Sequence, residues 1–362
     1  MPAPPLDPRP RRPRRRPDLV ALEGYHSPQV DVAVRLNTNE SPYPPPGAWA
    51  EAVAEEVAGV EWHRYPDRQA RRLRGALAEL HGVAPEQVYV ANGSNEVIQA
   101  LCLAYGGPGR AAGVFEPTYR LHSHIPSITA TSVATGARTA ELSLDLDEVR
   151  RVVAEVEPAL TFLCSPNNPT GMLDPPEAIA EVAATSAGLV VVDEAYAEFS
   201  PWSALELVDD DLALVVTRTF SKTWSMAGAR LGYLVGPAWV VEDLSAVTLP
   251  YHLDAFKQAA GRLALRFEDE MRRRVSAVVA ERARLVAGLG TLAVTQWPSA
   301  ANFVLFRPVD ADGSTVWQGL VERGVLVRDC SSWPGLDGCL RVTVGTPEED
   351  DAFLGALGEV LT

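Results

Sequence analysis

Three short runs of apolar residues, without polar alternation, occupy the middle of the chain at residues 161–164, 188–192 and 212–217. The first run leads into a turn rich in Pro and Asn at 165–171, and such residues end regular structure. Continuous Val- and Leu-rich runs of this length are typical of strands in a parallel sheet that is covered on both faces. The pattern therefore predicts an α/β fold with these three strands in its central sheet.

Helix and strand patterns alternate on both sides of these runs, as expected for a parallel sheet with crossover helices. Helices are predicted over 48–60 and 69–80 and from a capped turn at 93–96 through residue 104, with strands at 88–91 and 113–115. Long Arg-, Glu- and Ala-rich helices follow over 254–289, and alternating strands at 302–306 and 340–344 indicate a smaller α/β unit. The predicted division is a disordered Pro/Arg-rich tail at 1–23, an N-terminal arm at 24–47, a large domain at 48–250, and a linking helix with a small C-terminal domain at 251–362.

A carboxamide, a carboxylate and an amine each follow one of the three strands. Asn168, Asp193 and Lys222 lie just beyond the runs, and the carboxyl ends of parallel strands share the edge at which ligands bind in open α/β sheets. Lys222 and Lys257 are the only lysines in the chain. Because a guanidinium keeps its proton near neutral pH, an amine nucleophile here must be a lysine. Lys222 is therefore the candidate nucleophile, although an ordinary loop lysine fits the local pattern as well.

This set of groups suits pyridoxal phosphate. A lysine forms the Schiff base with that cofactor and an aspartate pairs with its protonated pyridine nitrogen, while the carboxamide of Asn168 and the phenol of Tyr196 can hydrogen-bond the ring O3′. The turn at residues 93–95, before a predicted helix, offers free N–H groups for the phosphate, although the same turn is also an ordinary helix cap. The sequence thus favours a cofactor-dependent enzyme.

The order and spacing of the motifs resemble those of fold-type I pyridoxal phosphate-dependent aminotransferases of class I and II, and most of all histidinol-phosphate aminotransferases of the actinobacterial type. The resemblance covers roughly residues 24–360 and rests, besides the three segments above, on the motifs at 34–42, 64–67, 92–96, 116–119, 326–329 and 340–346. It implies a large domain with a mostly parallel seven-stranded sheet, a small C-terminal α/β domain, and a homodimer. It also implies an enzyme of histidine biosynthesis that exchanges an amino group between histidinol phosphate and 2-oxoglutarate.

The resemblance assigns roles to individual residues. The implied catalytic residues are Lys222, Asp193 and Tyr196, with Tyr119 stacked on the cofactor ring and Asn168 and Tyr196 at its O3′. The implied contacts of the cofactor phosphate are Ser94, Asn95, Thr219, Ser221 and Arg230, together with Tyr65 from the other subunit. The implied substrate residues are Arg341 for the α-carboxylate and Arg328 for the distal anion, together with Tyr25 and Asn39.

The charge distribution separates the tail from the rest of the chain. The net charge is −15, yet the first 17 residues hold six arginines and one aspartate. A Pro- and Arg-rich segment with so few apolar residues is expected to be disordered. A basic arm can contact nucleic acid, but a solvated tail or a start codon assigned too early explains the composition more simply, and the acidic remainder repels nucleic acid. No nucleic-acid partner is expected.

The sequence carries few marks of targeting or metal binding. No apolar run reaches the roughly 18 residues of a membrane span, and no signal peptide is visible. The four cysteines form no CxxC pair, which is typical of reduced thiols in the cytosol. His122 and His124 stand two residues apart, but two histidines without a third ligand support a metal site only weakly. We expect a cytoplasmic protein with no membrane partner and no metal.

Three other functions share much of this pattern. An aromatic amino-acid aminotransferase would need a less basic distal pocket, which Arg328 argues against, and a threonine-phosphate decarboxylase would use the same residues with the substrate turned. A pyridoxal phosphate-binding transcriptional regulator would need a DNA-binding domain ahead of the fold, and the Arg-rich tail is too short for one. Lys257 and residues 119–122 depart from the usual family pattern near the substrate, which leaves the exact substrate open.

Overall fold

The computed structural model describes residues 13–20, 22, 24 and 30–362. The strands are β1 Val34–Leu36, β2 Val88–Ala91, β3 Ala111–Glu116, β4 Ser132–Ala137, β5 Leu160–Cys164, β6 Leu189–Asp193, β7 Leu214–Thr219, β8 Gly232–Val235, β9 Val294–Gln296, β10 Phe303–Pro308, β11 Val325–Asp329 and β12 Leu340–Thr343. The helices are α1 Gly47–Ala58, α2 Arg71–His81, α3 Ser94–Tyr105, α4 Leu121–Ile128, α5 Leu146–Val156, α6 Pro176–Thr185, α7 Ala238–Val247, α8 Ala255–Ala264, α9 Glu268–Leu289, α10 Gly313–Glu322 and α11 Pro347–Val360. The elements predicted from the sequence are all present, with ends displaced by a few residues.

Seven strands form the larger sheet in the order β2-β8-β7-β6-β5-β3-β4. Strand β8 runs antiparallel to β2 and β7, and the other neighbours pair in parallel. The mostly parallel seven-stranded sheet that the resemblance implied is therefore confirmed. Every residue of β5, β6 and β7 is buried, as the continuous apolar runs predicted.

Helices cover both faces of this sheet, which explains the lack of alternation in the apolar runs. Along β6, Val191 packs in one core cluster with α3, α4 and α7, whereas Val190 and Val192 pack in another with α5 and α6. Successive side chains of a strand point to opposite faces of the sheet, so a strand buried on both sides needs apolar residues at every position.

Five strands form the smaller sheet in the order β1-β11-β12-β10-β9, and α9, α10 and α11 pack against it. The edge strand β1 comes from the predicted N-terminal arm. It pairs in parallel with β11, with Val34 opposite Val325. Residues 37–39 follow β1 directly, and Asn39 hydrogen-bonds Tyr196 of the larger unit. The arm thereby connects the smaller sheet to the edge of the larger one.

Other segments refine the predicted organisation. A 3-10 turn at Leu265–Phe267 divides the long helical region into α8 and α9. Within the predicted tail, Pro17–Leu19 forms another 3-10 turn, and Arg16 donates to the carbonyl of Ile128 at 3.3 Å. All four cysteines are buried and free of disulfides. In the part of the chain that the structure describes, no helix has both the length and the apolar character that crossing a bilayer requires.

Candidate active site

The carboxyl ends of β5, β6 and β7 meet at one edge of the larger sheet and open into a cavity. In the sheet, Asp193 of β6 lies opposite Cys164 of β5 on one side and opposite Thr217 of β7 on the other, so the three strand ends lie together. Most of the predicted site residues line this cavity: Asn39, Ser94, Asn95, Tyr119, Asn168, Asp193, Tyr196, Thr219, Ser221, Lys222, Arg230, Arg328 and Arg341. The fold thus brings together residues from both sheets and from distant parts of the sequence.

Lys222 lies just beyond β7, half-buried in the cavity wall. Its Nζ donates to the carbonyl of Thr38 at 3.0 Å. Burial, assisted by the positive charge of Arg341, lowers the pKa of Lys222 to about 7. The amine is therefore available in its neutral, nucleophilic form near neutral pH, unlike an exposed lysine. The other lysine, Lys257, does not line the cavity, and its Nζ instead donates to Asn92 Oδ1 at 2.8 Å.

Asp193 ends β6 with its carboxylate fixed at both oxygens. The side chain is buried, with 2% of the residue exposed. His122 Nε2 donates to Asp193 Oδ2 at 3.0 Å, and the backbone N–H of Ala195 donates to Oδ1 at 3.1 Å. The imidazole of His122 is itself fully buried and stacks on Phe162 with ring centres 5.2 Å apart. The direction of the Asp193 carboxylate is therefore set by its surroundings.

Sequence reasoning missed this role of His122. The sequence offered His122 as half of a weak metal motif with His124 and as part of the unusual segment 119–122, whereas in the structure His122 hydrogen-bonds Asp193, 71 positions away. The residue lies on the buried side of the short helix α4, beside Leu121 and Ile125, and that amphipathic pattern was the one available indication that it faces inward. Among the described residues, no group of three His, Cys, Asp or Glu side chains is arranged to hold a metal ion.

A hydrogen-bonded cluster forms the floor of the cavity. The hydroxyl of Tyr196 accepts from Asn39 Nδ2 at 2.9 Å and from Asn168 Nδ2 at 3.3 Å. Arg341 donates to Asn168 Oδ1 at 2.5 Å and to the carbonyl of Asn37 at 2.9 Å. Burial raises the pKa of Tyr196 well above its ordinary value, so the phenol keeps its proton and can donate it to a bound acceptor.

The N-terminus of α3 forms one corner of the cavity, next to Arg230. Gly93 precedes the helix with a φ of 90°, and a side chain there would place its Cβ 2.9 Å from Arg230 Nη2. Arg230 also donates to Ser221 Oγ at 3.2 Å, and Thr219 Oγ1 donates to the same oxygen at 3.0 Å. Backbone N–H groups at a helix start, hydroxyls and a guanidinium together suit a phosphate dianion.

Two arginines stand opposite each other on neighbouring strands of the smaller sheet. Arg328 of β11 and Arg341 of β12 are direct cross-strand partners, and both are buried. The guanidinium of Arg328 lies 5.2 Å from the ring centre of Trp333, and that of Arg341 lies 5.0 Å from that of Phe303. Arg341 Nε is buried without a hydrogen-bond partner. Two like charges in this arrangement repel each other, and a bound anion would relieve that repulsion. This side of the cavity therefore favours anionic groups.

Of the predicted site residues, one lies outside the cavity and another is not among the described residues. Tyr65 is 80% exposed and stacks on Tyr251 with ring centres 4.4 Å apart. Tyr25 lies outside the described residues. Conversely, the cavity is also lined by residues that the sequence did not single out for the site: Asn37, Thr38, Arg120, Cys164, Ala195 and Trp333. These residues come from strand ends and loops that are far apart in the sequence, and tertiary packing brings them to the cavity.

Comparison with known proteins gives consistent matches along the chain. Residues 31–357 match the sequence family described as aminotransferase class I and II. A histidinol-phosphate aminotransferase from Frankia casuarinae is 49% identical, and the match covers 96% of this chain and 90% of that relative. One from Thermobifida fusca is 46% identical over 94% of this chain and 94% of its own. The solved histidinol-phosphate aminotransferase of Sinorhizobium meliloti, in complex with pyridoxal-5'-phosphate, has a TM-score of 0.87 and 23% identity over 95% of this chain and 96% of that chain, which shows a shared fold.

Proposed function

The chain belongs to the class I and II aminotransferases, and on that basis we propose that it exchanges an amino group between histidinol phosphate and 2-oxoglutarate with pyridoxal 5′-phosphate as its cofactor. The observation that carries the proposal is the convergence, in one cavity, of an amine with a lowered pKa, a fixed carboxylate and two buried arginines. Relatives that match nearly the whole chain bear the name of the same activity.

The residues of the cavity fit pyridoxal phosphate. The corner formed by α3, Ser221 and Arg230 suits its phosphate, because Gly93 leaves open the space that a Cβ would fill. Tyr119 would face the ring, and its hydroxyl is held by a hydrogen bond to Asn95 Oδ1 at 3.1 Å. When bound, the cofactor supplies an electron-accepting ring that makes the Cα proton of an attached amine acidic.

The chain's own residues account for binding, orientation and proton movement. Asp193 would pair with the protonated ring nitrogen, since its carboxylate is fixed in direction. Tyr196 and Asn168 would hydrogen-bond the ring O3′, Tyr196 through the proton that its raised pKa retains. Lys222, neutral near pH 7 because of its lowered pKa, would bind the cofactor through Nζ. Once substrate displaces it, Nζ would accept the proton from the substrate Cα.

The arginines of the smaller sheet match the anionic groups of the proposed substrates. Arg341, whose Nε is buried without a partner, would bind the α-carboxylate of glutamate in a planar pair. Arg328 would bind the distal anion, which is the γ-carboxylate of glutamate or the phosphate of histidinol phosphate. A guanidinium serves both anions, since each offers two acceptor oxygens in one plane. Histidinol phosphate has no carboxylate, so its phosphate is the group that needs this cation.

A panel of amino donors tests the proposed substrate. Purified enzyme would be offered histidinol phosphate, glutamate, phenylalanine and threonine phosphate, with and without 2-oxoglutarate, and Lys222→Ala would serve as the inactive control. We expect consumption of histidinol phosphate with formation of glutamate only when 2-oxoglutarate is present. Preference for phenylalanine would instead establish the aromatic aminotransferase, and carbon dioxide released from threonine phosphate would establish the decarboxylase.

We further propose a cytoplasmic homodimer in which Tyr65 serves the partner's site. Large exposed side chains occur in two segments, Trp62 and Tyr65 in one and Leu249, Tyr251 and Phe256 in the other. The stacking of Tyr65 on Tyr251 joins the two segments into one surface. An exposed patch of this kind is typical of a protein interface.

The buried, unpaired cysteines support a reducing compartment. The two sheets support a large and a small domain, with β1 of the arm belonging to the smaller sheet.

A further inference from the structure

Trp333 joins the two sides of the cavity next to Arg328. Its Nε1 donates to the carbonyl of Thr118 at 2.9 Å, which ties the loop after β11 to the turn that precedes α4. The indole is buried, with 7% of the residue exposed, and the guanidinium of Arg328 lies over its ring. Trp333 therefore holds Arg328 on the side of the cavity that the turn at residues 118–120 also borders.

Arg120 projects from that turn and lines the same cavity. Its backbone is fixed, because its carbonyl accepts from the N–H groups of Ser123 at 3.3 Å and His124 at 3.1 Å at the start of α4. The residues around it are anchored as well: Tyr119 bonds Asn95, and His122 bonds Asp193. The turn therefore presents its arginine from a rigid base.

The guanidinium of Arg120 has no assigned partner. Its side chain is exposed at the cavity rim, and within the described ranges it forms no ion pair and no hydrogen bond. Arg341, another cation that lines the cavity, already donates to Asn168 and to the carbonyl of Asn37. An unpaired cation that borders a site already rich in positive charge is electrostatically unfavourable unless an anion joins it there.

We propose that Arg120 is a specificity-determining residue that, together with Arg328, binds the phosphate of a phosphate-monoester substrate. This inference rests on the proposed function and deepens it. A γ-carboxylate carries one charge and two oxygens, which one guanidinium satisfies. A phosphate monoester carries nearly two charges and three terminal oxygens and is larger, so it has both the charge and the acceptors for a second guanidinium at the rim. Arg120 thereby favours phosphate over carboxylate at the distal position.

The exposed position of Arg120 also predicts how its effect responds to salt. Charges at the rim of a site act largely on the encounter with a charged ligand, and they are screened by added salt. The dianionic substrate should gain more from this attraction than the monoanionic side chain of glutamate. The dependence of kcat/KM on ionic strength for histidinol phosphate should therefore weaken when Arg120 is replaced by a neutral residue.

Three variants test the proposal on the holoenzyme: Arg120→Gln, Arg120→Lys, and Arg273→Gln as the control. Arg273 lies on α9 with its side chain 71% exposed and forms a long ion pair with Glu270 at 3.9 Å, so it is, like Arg120, an exposed arginine, but it does not line the cavity. Arg120→Gln should lower kcat/KM for histidinol phosphate about tenfold, mainly through KM, and affect glutamate several times less. Arg120→Lys should recover part of the loss, because it restores the charge but not the paired donors. Arg273→Gln should leave both reactions unchanged.

A second measurement does not require turnover of histidinol phosphate. Inorganic phosphate should inhibit the glutamate reaction competitively, and Arg120→Gln should raise its inhibition constant several-fold while Arg273→Gln does not. Equal losses for glutamate and histidinol phosphate, or an unchanged inhibition constant, would overturn the role of Arg120. If wild-type enzyme fails to use histidinol phosphate while phosphate inhibition still depends on Arg120, the proposed function fails and the anion subsite stands.

Discussion

His122 Nε2 donates a hydrogen bond to Asp193 Oδ2 over 3.0 Å, and both side chains are buried at the edge of the larger sheet. The imidazole stacks on Phe162, and the ring of Tyr119 lies nearly at right angles to it with ring centres 5.3 Å apart. A carboxylate fixed in this way keeps one direction without reorganisation during the reaction. This geometry predicts that His122 acts as a positioning residue through Asp193.

Replacement of His122 should reduce catalysis without abolishing it. His122→Phe keeps the ring that stacks on Phe162 but removes the donor to Asp193, so kcat should fall about 10- to 100-fold, with a smaller change in KM. His122→Gln can still present an N–H to Asp193 and should recover part of the rate. Affinity for the cofactor, measured by equilibrium titration of the apoenzyme, should fall in His122→Phe and be partly restored in His122→Gln. Wild-type kcat and cofactor affinity in His122→Phe would rule out the positioning role.

Lys222 should be the only lysine that captures the cofactor covalently. Borohydride reduction of wild-type holoenzyme should trap the cofactor on the peptide that contains Lys222, because of the two lysines it is Lys222 that lines the cavity. Lys222→Ala should lose both the trapped adduct and turnover, whereas Lys257→Met should keep both. Mass spectrometry of the peptides identifies the modified residue. A cofactor adduct on Lys257 would contradict the assignment.

The pKa of Lys222 predicts a pH dependence for this capture. Burial and the charge of Arg341 lower the pKa to about 7, so the reactive neutral amine should increase as the pH rises through about 7. The rate constant for cofactor capture by the apoenzyme should rise over that range and then level off. In Arg341→Met one of the causes of the lowered pKa is missing, so the midpoint should move to higher pH. A rate that keeps rising towards the pKa of a free lysine would show that the site does not depress it.

The two arginines of the smaller sheet should differ in which substrates they serve. Arg328→Met removes the cation at the distal position while keeping an apolar contact with Trp333. The loss of transition-state stabilisation, calculated from the ratio of kcat/KM values, should be about 2–5 kcal/mol for both glutamate and histidinol phosphate. Phenylalanine, which has no distal anion, should be little affected. Arg341→Met should instead lower kcat/KM for both glutamate and phenylalanine, because both carry an α-carboxylate. Loss of phenylalanine turnover in Arg328→Met would place the α-carboxylate at Arg328.

Tyr65 should act in the active site of the other subunit. Its ring is exposed and lies outside the cavity of its own chain, as expected for a residue that completes the partner's site. Tyr65→Ala and Lys222→Ala chains should each be impaired, yet their heterodimer has one site with both wild-type groups and should regain activity. The mixed dimer, purified with two affinity tags, is assayed against each parent homodimer. No recovery in verified heterodimers would mean that Tyr65 acts within its own chain.

The sequence alone determined the sheet and the residues at its carboxyl edge. Val190, Val191 and Val192 predicted a strand buried on both faces, and the structure packs them against helices on both sides. Asp193 ends β6 and Lys222 lies just beyond β7, so their meeting at one edge is a consequence of parallel pairing. These predictions succeeded because they depend on local periodicity and on where a residue stands relative to a strand end.

Only the tertiary structure decided the contacts between distant segments. It paired His122 with Asp193, tied Trp333 to Thr118, and placed β1 of the N-terminal arm in the smaller sheet. Nothing in the local pattern around His122 distinguishes a partner of a carboxylate from an ordinary buried histidine, because the partner lies on another element. Such contacts depend on how helices and loops pack across the whole fold, whereas the strand pattern depends on neighbouring residues alone. The sequence therefore places the amine and the carboxylate at the sheet edge, and the packing determines what holds them in place.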